Sequence, residues 1–234
     1  MENNILCIIA ARKGSKGLKN KNFKLLNKKP LIYYPIQLAL NIKSILKKNI
    51  IFCSDSDQYI KYVQKNFKIK TLKRSKKLSN DRAKIYNVIL FVLNFQKKNK
   101  ILYKNILLLE PTSPLTQIKH INKALQILES KKNKIDSVCP IVKLDKFNPF
   151  FSINLKNNFF NNDIMPNSLN RQLVKNTYFL SGNFYLSKVS SFIKNKGFYS
   201  KKTYALKIEK KFYTDIDDLE DFQIASIKKK IYKI

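Results

Sequence analysis

This 234-residue sequence is short of acidic residues, with 15 aspartates and glutamates against 47 lysines and arginines and a formal net charge of +32. Glycine occurs four times, histidine once and tryptophan not at all. The three cysteines are scattered along the chain, which excludes a disulfide framework and a cysteine-based zinc site. No apolar run approaches the roughly 20 residues that a membrane-spanning helix needs.

The sequence also lacks a recognisable secretion signal, because its first residues do not form a charged region, an apolar region and a small-residue cleavage site in that order. We therefore expect a cytoplasmic protein without a membrane partner. The composition is 44% hydrophobic and 12% aromatic, which excludes a disordered chain. A length of 234 residues fits a single domain over 1–234 with a substantial core.

The strong positive charge raises the question of nucleic-acid binding. The excess is almost entirely lysine, and asparagine, isoleucine, phenylalanine and tyrosine are also abundant. These residues share AT-rich codons, so genome composition explains the bias without a function. No pattern of alternating aromatic and basic residues accompanies it. We expect no nucleic-acid partner, although a basic nucleic-acid-binding protein remains an alternative, and we expect the charge to attract small anions.

Apolar runs of strand length alternate with segments of helical periodicity. Such runs are typical of strands buried on both faces of a sheet. The alternation predicts an α/β fold, a three-layer α/β/α arrangement in which helices cover both faces of a parallel sheet. The predicted strands are Ile5–Ala10, Ile50–Cys53, Lys68–Leu72, Asn105–Leu109 and Asp136–Val142.

Prolines and aspartates suggest where the helices begin. Pro30 is expected to open the first helix, with Pro35 either kinking it or marking its true first turn. Asp57 and Asp81 are predicted N-caps of the next two helices. Further helices are predicted over 117–130 and from Asp218 onward.

The segment 143–177 breaks the pattern, because it is rich in asparagine and phenylalanine without a clear period. A disordered insertion and an arm that packs on a partner chain are both possible readings. The arm is favoured because exposed phenylalanine pairs are a liability in solution.

Ligands of open α/β sheets bind beyond the carboxyl ends of the strands, so the loops there carry the chemistry. The loop 10–22 follows the first strand and contains two glycines, Arg12 and four lysines. Backbone amides and cations in such a loop suit phosphate oxygens, although the Walker A and GxGxxG patterns are absent. An ordinary basic loop is the alternative.

Three further motifs are candidates for chemistry. Thr112 and Ser113 offer hydroxyls in the LLLEPTSPL turn, or simply cap a helix. Asp215 and Asp217 lie two apart in an extended segment and suit Mg²⁺, unless they only begin the last helix. Arg171 suits a carboxylate or phosphate, or forms a surface ion pair.

Taken in order, these motifs resemble the cytidylyltransferases of the CMP-N-acylneuraminate synthetase family. The resemblance rests on IIAARKGSKGLKNKN, the SDSD turn, KRSKKLSND, LLLEPTSPL, RQ, SGNFY and TDID, and it covers nearly the whole chain. It implies a Rossmann-like nucleotidyltransferase core of GT-A-like type. It also implies that 143–177 is an inserted dimerisation arm and that the protein is a homodimer.

The resemblance implies a role for individual residues. Lys21, Arg12 and Asp217 would be catalytic, and Asp215 and Asp217 would hold Mg²⁺ as the cofactor. The nucleotide would be bound by Ala11, Arg12, Gly14, Ser15, Lys21, Asn22, Arg74 and Asp81. The sugar would be bound by Glu110, Thr112, Ser113, Arg171 and Gln172.

The sequence departs from the family pattern at three positions. Glu110 stands where the family usually has glutamine, Thr116 where it has arginine, and Ser181 where it has asparagine. All three are expected on the sugar side, so the reaction type is better indicated than the acceptor. The implied reaction joins CTP to a 2-keto-3-deoxy sugar acid and releases pyrophosphate. A related transferase with another nucleotide or sugar is the alternative.

Overall fold

The computed structural model describes residues 4–15, 17–80, 83–130, 134–144, 148–161 and 176–233. Six helices occur in these ranges: α1 (Tyr33–Leu40), α2 (Asp57–Phe67), α3 (Ile85–Lys98), α4 (Ile118–Glu129), α5 (Val189–Asn195) and α6 (Leu219–Ile231). The strands of the first half are β1 (Ile5–Ala11), β2 (Leu25–Leu26), β3 (Lys29–Pro30), β4 (Ile50–Ser54), β5 (Lys70–Lys73) and β6 (Asn105–Leu109). Those of the second half are β7 (Ser137–Leu144), β8 (Leu155–Lys156), β9 (Phe159–Phe160), β10 (Thr177–Leu180), β11 (Phe184–Lys188) and β12 (Thr203–Lys207).

Eight of the described strands form one central sheet in the order β10-β7-β11-β6-β1-β4-β5, with β12 also paired to β7. The strands β6, β1, β4 and β5 are parallel, as predicted. β7, the fifth predicted strand, runs in the same direction as these four, but β11 lies antiparallel between β6 and β7. β10 is antiparallel to β7 as well. Hydrophobic periodicity identifies a strand but carries no information about its direction.

Helices cover both faces of the sheet, which confirms the three-layer α/β/α prediction. One face packs against α1, α2 and α4 through residues such as Ile36, Val63 and Ile121. The other packs against α3 and α5 through Val92 and Phe192. Consecutive β1 residues alternate between the two clusters, so both faces of the strand are buried. This explains the unbroken apolar run at the start of the chain.

Helix starts differ from the predictions in detail. α1 begins at Tyr33 with Pro35 in its first turn, and Pro30 belongs to β3 instead. The N-cap of α2 is Ser56, whose hydroxyl accepts a hydrogen bond from the Tyr59 amide. Asp57 is therefore the first helical residue, where its charge still favours the positive end of the helix dipole. α3 begins at Ile85 without a side-chain cap, and the predicted cap Asp81 lies outside the described residues.

Only part of the segment 143–177 is described. Its described residues include a two-stranded hairpin of β8 and β9, and the side chain of Phe159 there is 77% exposed. Because 162–175 lies outside the described residues, the prediction of a dimerisation arm stays a prediction.

The three cysteines lie on the central sheet and are all buried. Burial raises the pKa of Cys53 to about 11, and the pKa of Cys139 to about 12. All three lie within strands that the sequence predicts. No described helix has the length and hydropathy that crossing a membrane requires.

Candidate active site

A cavity with a volume of about 530 Å³ lies at the carboxyl ends of β1 and β6. β1 is the strand from which the chain proceeds first to β4 on one side and later to β6 on the other. Such a switch point leaves a crevice between the loops that diverge from it. The predicted residues that line this nucleotide cavity include Arg12, Ser15, Lys21, Asn22 and Arg74 from one wall, and Glu110, Thr112, Asp215 and Asp217 from the other.

The loop after β1 is held by two hydrogen bonds that side chains make to its backbone. Asn22 is buried, and its Nδ2 donates a hydrogen bond to the Arg12 carbonyl at 2.9 Å. The amide of Lys13 donates to Asp55 Oδ1 at 2.9 Å. The acidic turn after β4 thus anchors the basic loop after β1. Both bonds order the loop before any ligand binds, which lowers the entropic cost of binding.

Gly17 joins the basic loop to the acidic segment. A Cβ atom placed on Gly17 would lie 2.4 Å from the carbonyl oxygen of Asp217. Only glycine permits the two backbones to approach so closely. A Cβ atom placed on Gly14 meets nothing within 4 Å, so the two glycines of this loop have different roles.

Two of the residues predicted to bind the nucleotide lie in different surroundings. The Ala11 side chain packs in the core at the end of β1, so only its backbone is available to a ligand. Arg74 is buried but lines the cavity, and its Nε has no hydrogen-bond partner among the described residues. Burial lowers the pKa of Arg74, while Cys53 and Asp55 oppose the change. A buried cation that lines a cavity suits an anionic or carbonyl-bearing ligand.

Opposite the basic loop, Asp215 and Asp217 both line the cavity. Asp215 is exposed as a residue, but desolvation of its carboxyl raises the pKa of Asp215; Asp217 adds to the rise, whereas a hydrogen bond from Thr112 opposes it. Lys21 Nζ lies 2.7 Å from Asp217 Oδ1, and the Asp217 side chain is 78% exposed. Lys21 therefore bridges the basic loop and the acidic pair.

The two aspartates fit the donor set of a magnesium site. Mg²⁺ is usually held by one or two carboxylates together with substrate phosphate oxygens. No group of three histidine, cysteine, aspartate or glutamate side chains in the described part of the chain could hold a metal alone. A cation at Asp215 and Asp217 would therefore need oxygens from a bound ligand.

Glu110 follows β6 and is only half-buried, yet its carboxyl has an unusual environment. Burial raises the pKa of Glu110 to about 7; Asp215 and Asp217 add to the rise, and Lys21 opposes it. The ionised form is disfavoured chiefly because the carboxyl is desolvated, and the negative charges of Asp215 and Asp217 add to the effect.

This shift predicts a pH-dependent effect of Glu110→Gln on stability. A raised carboxyl pKa makes the folded state bind protons more tightly, so wild-type stability falls as pH rises through about 7. Glutamine cannot ionise, so the variant does not lose this stability as the pH rises. The gain in Tm from the substitution should be about 3 °C larger at pH 8 than at pH 5, measured by calorimetry without ligand. A gain that does not change with pH would contradict the assigned cause.

Ser113 lies below the cavity rather than in its wall. Its buried hydroxyl lies 2.9 Å from the Thr214 carbonyl and 3.2 Å from the Gly182 carbonyl. Thr116 and Asn183 extend the network, since Asn183 Nδ2 donates to Thr116 Oγ1 at 3.0 Å. These bonds tie the turn after β6 to the segment that carries Asp215.

The position of Ser113 makes Ser113→Ala a test of this network. The substitution leaves two buried carbonyls without their donor and should cost about 2 kcal/mol of unfolding free energy. Ser44→Ala is the control, because the Ser44 hydroxyl has no partner among the described residues. Urea denaturation should show a loss for Ser113→Ala alone. Equal effects from the two variants would show that the network adds nothing to stability.

Sequence reasoning missed a second cavity that adjoins the first. This aromatic cavity has a volume of about 280 Å³ and shares Glu110 and Ile85 with the nucleotide cavity. Its aromatic lining consists of Tyr86, Tyr185, Phe192, Phe198 and Tyr199. These residues come from α3, β11, α5 and the loop after it, and no single motif unites them. The SGNFY motif was the one available signal.

Three predicted site residues fall outside the described chain: Asp81, Arg171 and Gln172. The departures Thr116 and Ser181 are described, and both are buried. Ser181 Oγ donates to the Pro140 carbonyl at 3.2 Å. His120 is buried, and its ring lies against that of Phe212 at a centroid distance of 5.2 Å.

Two curated proteins are similar in sequence to this chain over most of its length. The chain is 30% identical over 218 residues to an N-acylneuraminate cytidylyltransferase of Streptococcus agalactiae serotype V, covering 93% of this chain and 51% of that protein. It is 31% identical over 200 residues to the CMP-N,N'-diacetyllegionaminic acid synthase of Legionella pneumophila, covering 85% of this chain and 84% of that protein. The chain thus spans about half the length of the Streptococcus protein.

Solved structures agree on the fold. A CMP:2-keto-3-deoxy-manno-octonic acid synthetase complexed with CTP superposes with a TM-score of 0.67 at 12% identity, over 98% of each chain. This likeness concerns the Rossmann-like architecture only. The family model described as cytidylyltransferase matches residues 6–231, which is nearly the whole sequence. The chain therefore belongs to the cytidylyltransferase family.

Proposed function

We propose that this protein transfers the cytidylyl group of CTP to the anomeric hydroxyl of a nonulosonic acid, a 2-keto-3-deoxy sugar acid, and releases pyrophosphate. The observation that carries the proposal is one cavity that joins a basic loop to a pair of aspartates in a member of the cytidylyltransferase family. The names of the Streptococcus and Legionella relatives support the class of acceptor.

The nucleotide would bind along the loop after β1. Arg12, Lys21 and Arg74 line the cavity and would neutralise the triphosphate. Ser15 and the backbone amides near Gly14 would donate hydrogen bonds to phosphate oxygens. Asn22 would act by holding the Arg12 carbonyl, which fixes the loop for the ligand.

Asp215 and Asp217 would hold Mg²⁺ when the nucleotide is bound. The bound ion would neutralise phosphate charge and help to orient the attacking hydroxyl. Asp217 holds Lys21 through Oδ1, so Oδ2 would be the oxygen that serves Mg²⁺.

The reaction would be an in-line displacement that depends on positioning and charge neutralisation. A bond forms between the anomeric oxygen and the α-phosphorus while the bond to the bridging oxygen of pyrophosphate breaks. The hydroxyl proton passes to water. Lys21 and Arg12 would stabilise the negative charge that builds up on the departing pyrophosphate.

The acceptor would lie beside the α-phosphate, in reach of Glu110 and Thr112. The aromatic cavity opens at Glu110 and offers space for the rest of the sugar. Ser113 would support this wall through its bonds to the Thr214 and Gly182 carbonyls. We also propose that Arg171 and Gln172 complete the sugar site from the neighbouring subunit of a homodimer.

The proposal is tested by pyrophosphate release with Mg²⁺. CTP, UTP, ATP and GTP should each be offered with N-acetylneuraminic, legionaminic and pseudaminic acid. Release that requires CTP and one of the acids is expected. Release with another nucleotide would favour the related transferase, and failure to bind CTP would refute the proposal.

A further inference from the structure

The segment that carries Asp215 and Asp217 is anchored by the residue between them. The side chain of Ile216 is fully buried, in a core cluster that includes Ala225 of α6. The Ile216 amide donates a hydrogen bond to the Thr112 carbonyl at 3.0 Å. The backbone is therefore held in place at Ile216, and Asp217 is the first residue beyond that anchor.

The Asp217 side chain is mostly exposed to water, at 78% of its surface. Its Oδ1 accepts a hydrogen bond from Lys21 Nζ at 2.7 Å. An ion pair with one partner so exposed adds little constraint, because water competes for both charges. The direction of the Asp217 carboxylate thus depends on how the backbone that carries it is held.

The side chain of Asp221 holds that backbone. Its Oδ2 accepts hydrogen bonds from the Asp217 amide at 2.9 Å and from the Asp218 amide at 3.4 Å. In return, the Asp221 amide donates to Asp218 Oδ1 at 2.9 Å. The two bonds between Asp218 and Asp221 form the capping box that begins α6. The shorter bond to Asp217 lies outside that capping box, so helix capping does not account for it.

The backbone of Asp217 is thereby restrained on two sides. Asp221 accepts its amide hydrogen, and its carbonyl oxygen lies so close to Gly17 that a Cβ atom there would be 2.4 Å away. Asp217 lines the nucleotide cavity, whereas Asp221 lines a neighbouring cavity of about 490 Å³ together with Tyr213 and Ile224. Asp221 therefore acts on a ligand of the nucleotide cavity through Asp217 and not by contact.

We infer that Asp221 is a positioning residue for the proposed metal site: by accepting the Asp217 amide hydrogen, it keeps the Asp217 carboxylate directed into the nucleotide cavity. The inference rests on the proposed function for the metal, and on the hydrogen bond itself for the tether. A partner that holds a metal-binding side chain in its bound orientation typically raises metal affinity about 10- to 100-fold. The tether requires an acceptor oxygen and not a charge.

Three variants separate the tether from charge and from helix capping. Asp221→Ala removes the acceptor, and Asp221→Asn removes the charge but keeps an oxygen that can accept both amides. Asp218→Ala removes the other half of the capping box and leaves the bond between Asp217 and Asp221 in place. Both alanine variants should lower Tm by about 3 °C, because each breaks one helix cap.

Mn²⁺ is a paramagnetic substitute for Mg²⁺, and its binding to the full chain with CTP and no sugar acid would be titrated by electron paramagnetic resonance. Asp221→Ala should weaken Mn²⁺ binding about tenfold, whereas Asp221→Asn and Asp218→Ala should stay within about twofold of wild type. In pyrophosphate release, Asp221→Ala should raise the half-saturating Mg²⁺ concentration and leave KM for the acid unchanged. A loss of helix stability alone would not produce this split.

Amide exchange tests the tether independently of the proposed function. In the protein without ligand, NMR should show the Asp217 amide exchanging at least about tenfold faster in Asp221→Ala than in Asp218→Ala. Equal exchange in the two variants would overturn the inference, as would equal Mn²⁺ affinity or an Asp221→Asn variant that behaves like Asp221→Ala. Wild type that binds no Mn²⁺ with CTP would refute the proposed metal site, while the exchange rates would still decide whether Asp221 tethers Asp217.

Discussion

Asp215→Asn should lower the rate of pyrophosphate release about 1000-fold while the fold is retained. Asparagine keeps the shape of the side chain and can still interact with the Thr112 hydroxyl, but it cannot hold Mg²⁺ as a carboxylate does. Desolvation of the carboxyl raises the pKa of Asp215, which means that its charge is unfavourable in the folded protein. The variant should therefore melt at the same temperature as wild type or higher.

Glu220→Gln is the matched control, since it removes an exposed carboxylate from the first turn of α6. Its rate should remain within about twofold of wild type, because an exposed charge so placed contributes little. Normal turnover by Asp215→Asn would show that Asp215 is not needed to hold Mg²⁺. A low rate together with a low melting temperature would instead assign Asp215 a structural role.

Gly17→Ala should lower both the stability and the rate. The added Cβ would meet the Asp217 carbonyl at 2.4 Å, so one of the two backbones must move. Such a clash costs about 2 kcal/mol of unfolding free energy. Moving either segment also separates Lys21 from Asp217, and we expect kcat/KM for CTP to fall about 100-fold. Chemical denaturation and steady-state kinetics would measure the two effects.

Gly14→Ala is the control within the same loop, because its Cβ meets nothing within 4 Å. Without ligand it should be as stable as wild type or slightly more stable, since alanine restricts the unfolded chain. If both variants lose the same stability, the loop tolerates no side chain at all. The specific contact between Gly17 and Asp217 would then not be the cause.

The buried strands of the sheet could be predicted from the sequence, because strands covered on both faces must be continuously apolar. β1 and β6 are such strands, and the cavity lies at their carboxyl ends. The direction of β11 could not be predicted, since hydrophobicity is the same in either direction. The cap of α2 was assigned one residue too late, because serine and aspartate are both good caps and stand side by side.

The candidate site was predictable where its residues follow one another in a motif. Arg12, Lys21, Asp215 and Asp217 lie in short charged segments, and the structure brings all four to one cavity. The aromatic cavity was not predictable, because its rings come from separate elements that also resemble ordinary core positions. The environment of Glu110 likewise depends on burial and on Asp215, which is distant in sequence.

The central claim is that a sugar acid attacks the α-phosphorus of CTP in this cavity. The most direct test follows the phosphorus signals of CTP by ³¹P NMR as it reacts with Mg²⁺ and the acid that supports pyrophosphate release. The account predicts equal amounts of pyrophosphate and a CMP phosphodiester, both absent without the acid. Formation of CDP and inorganic phosphate, or of free CMP without a phosphodiester, would contradict it.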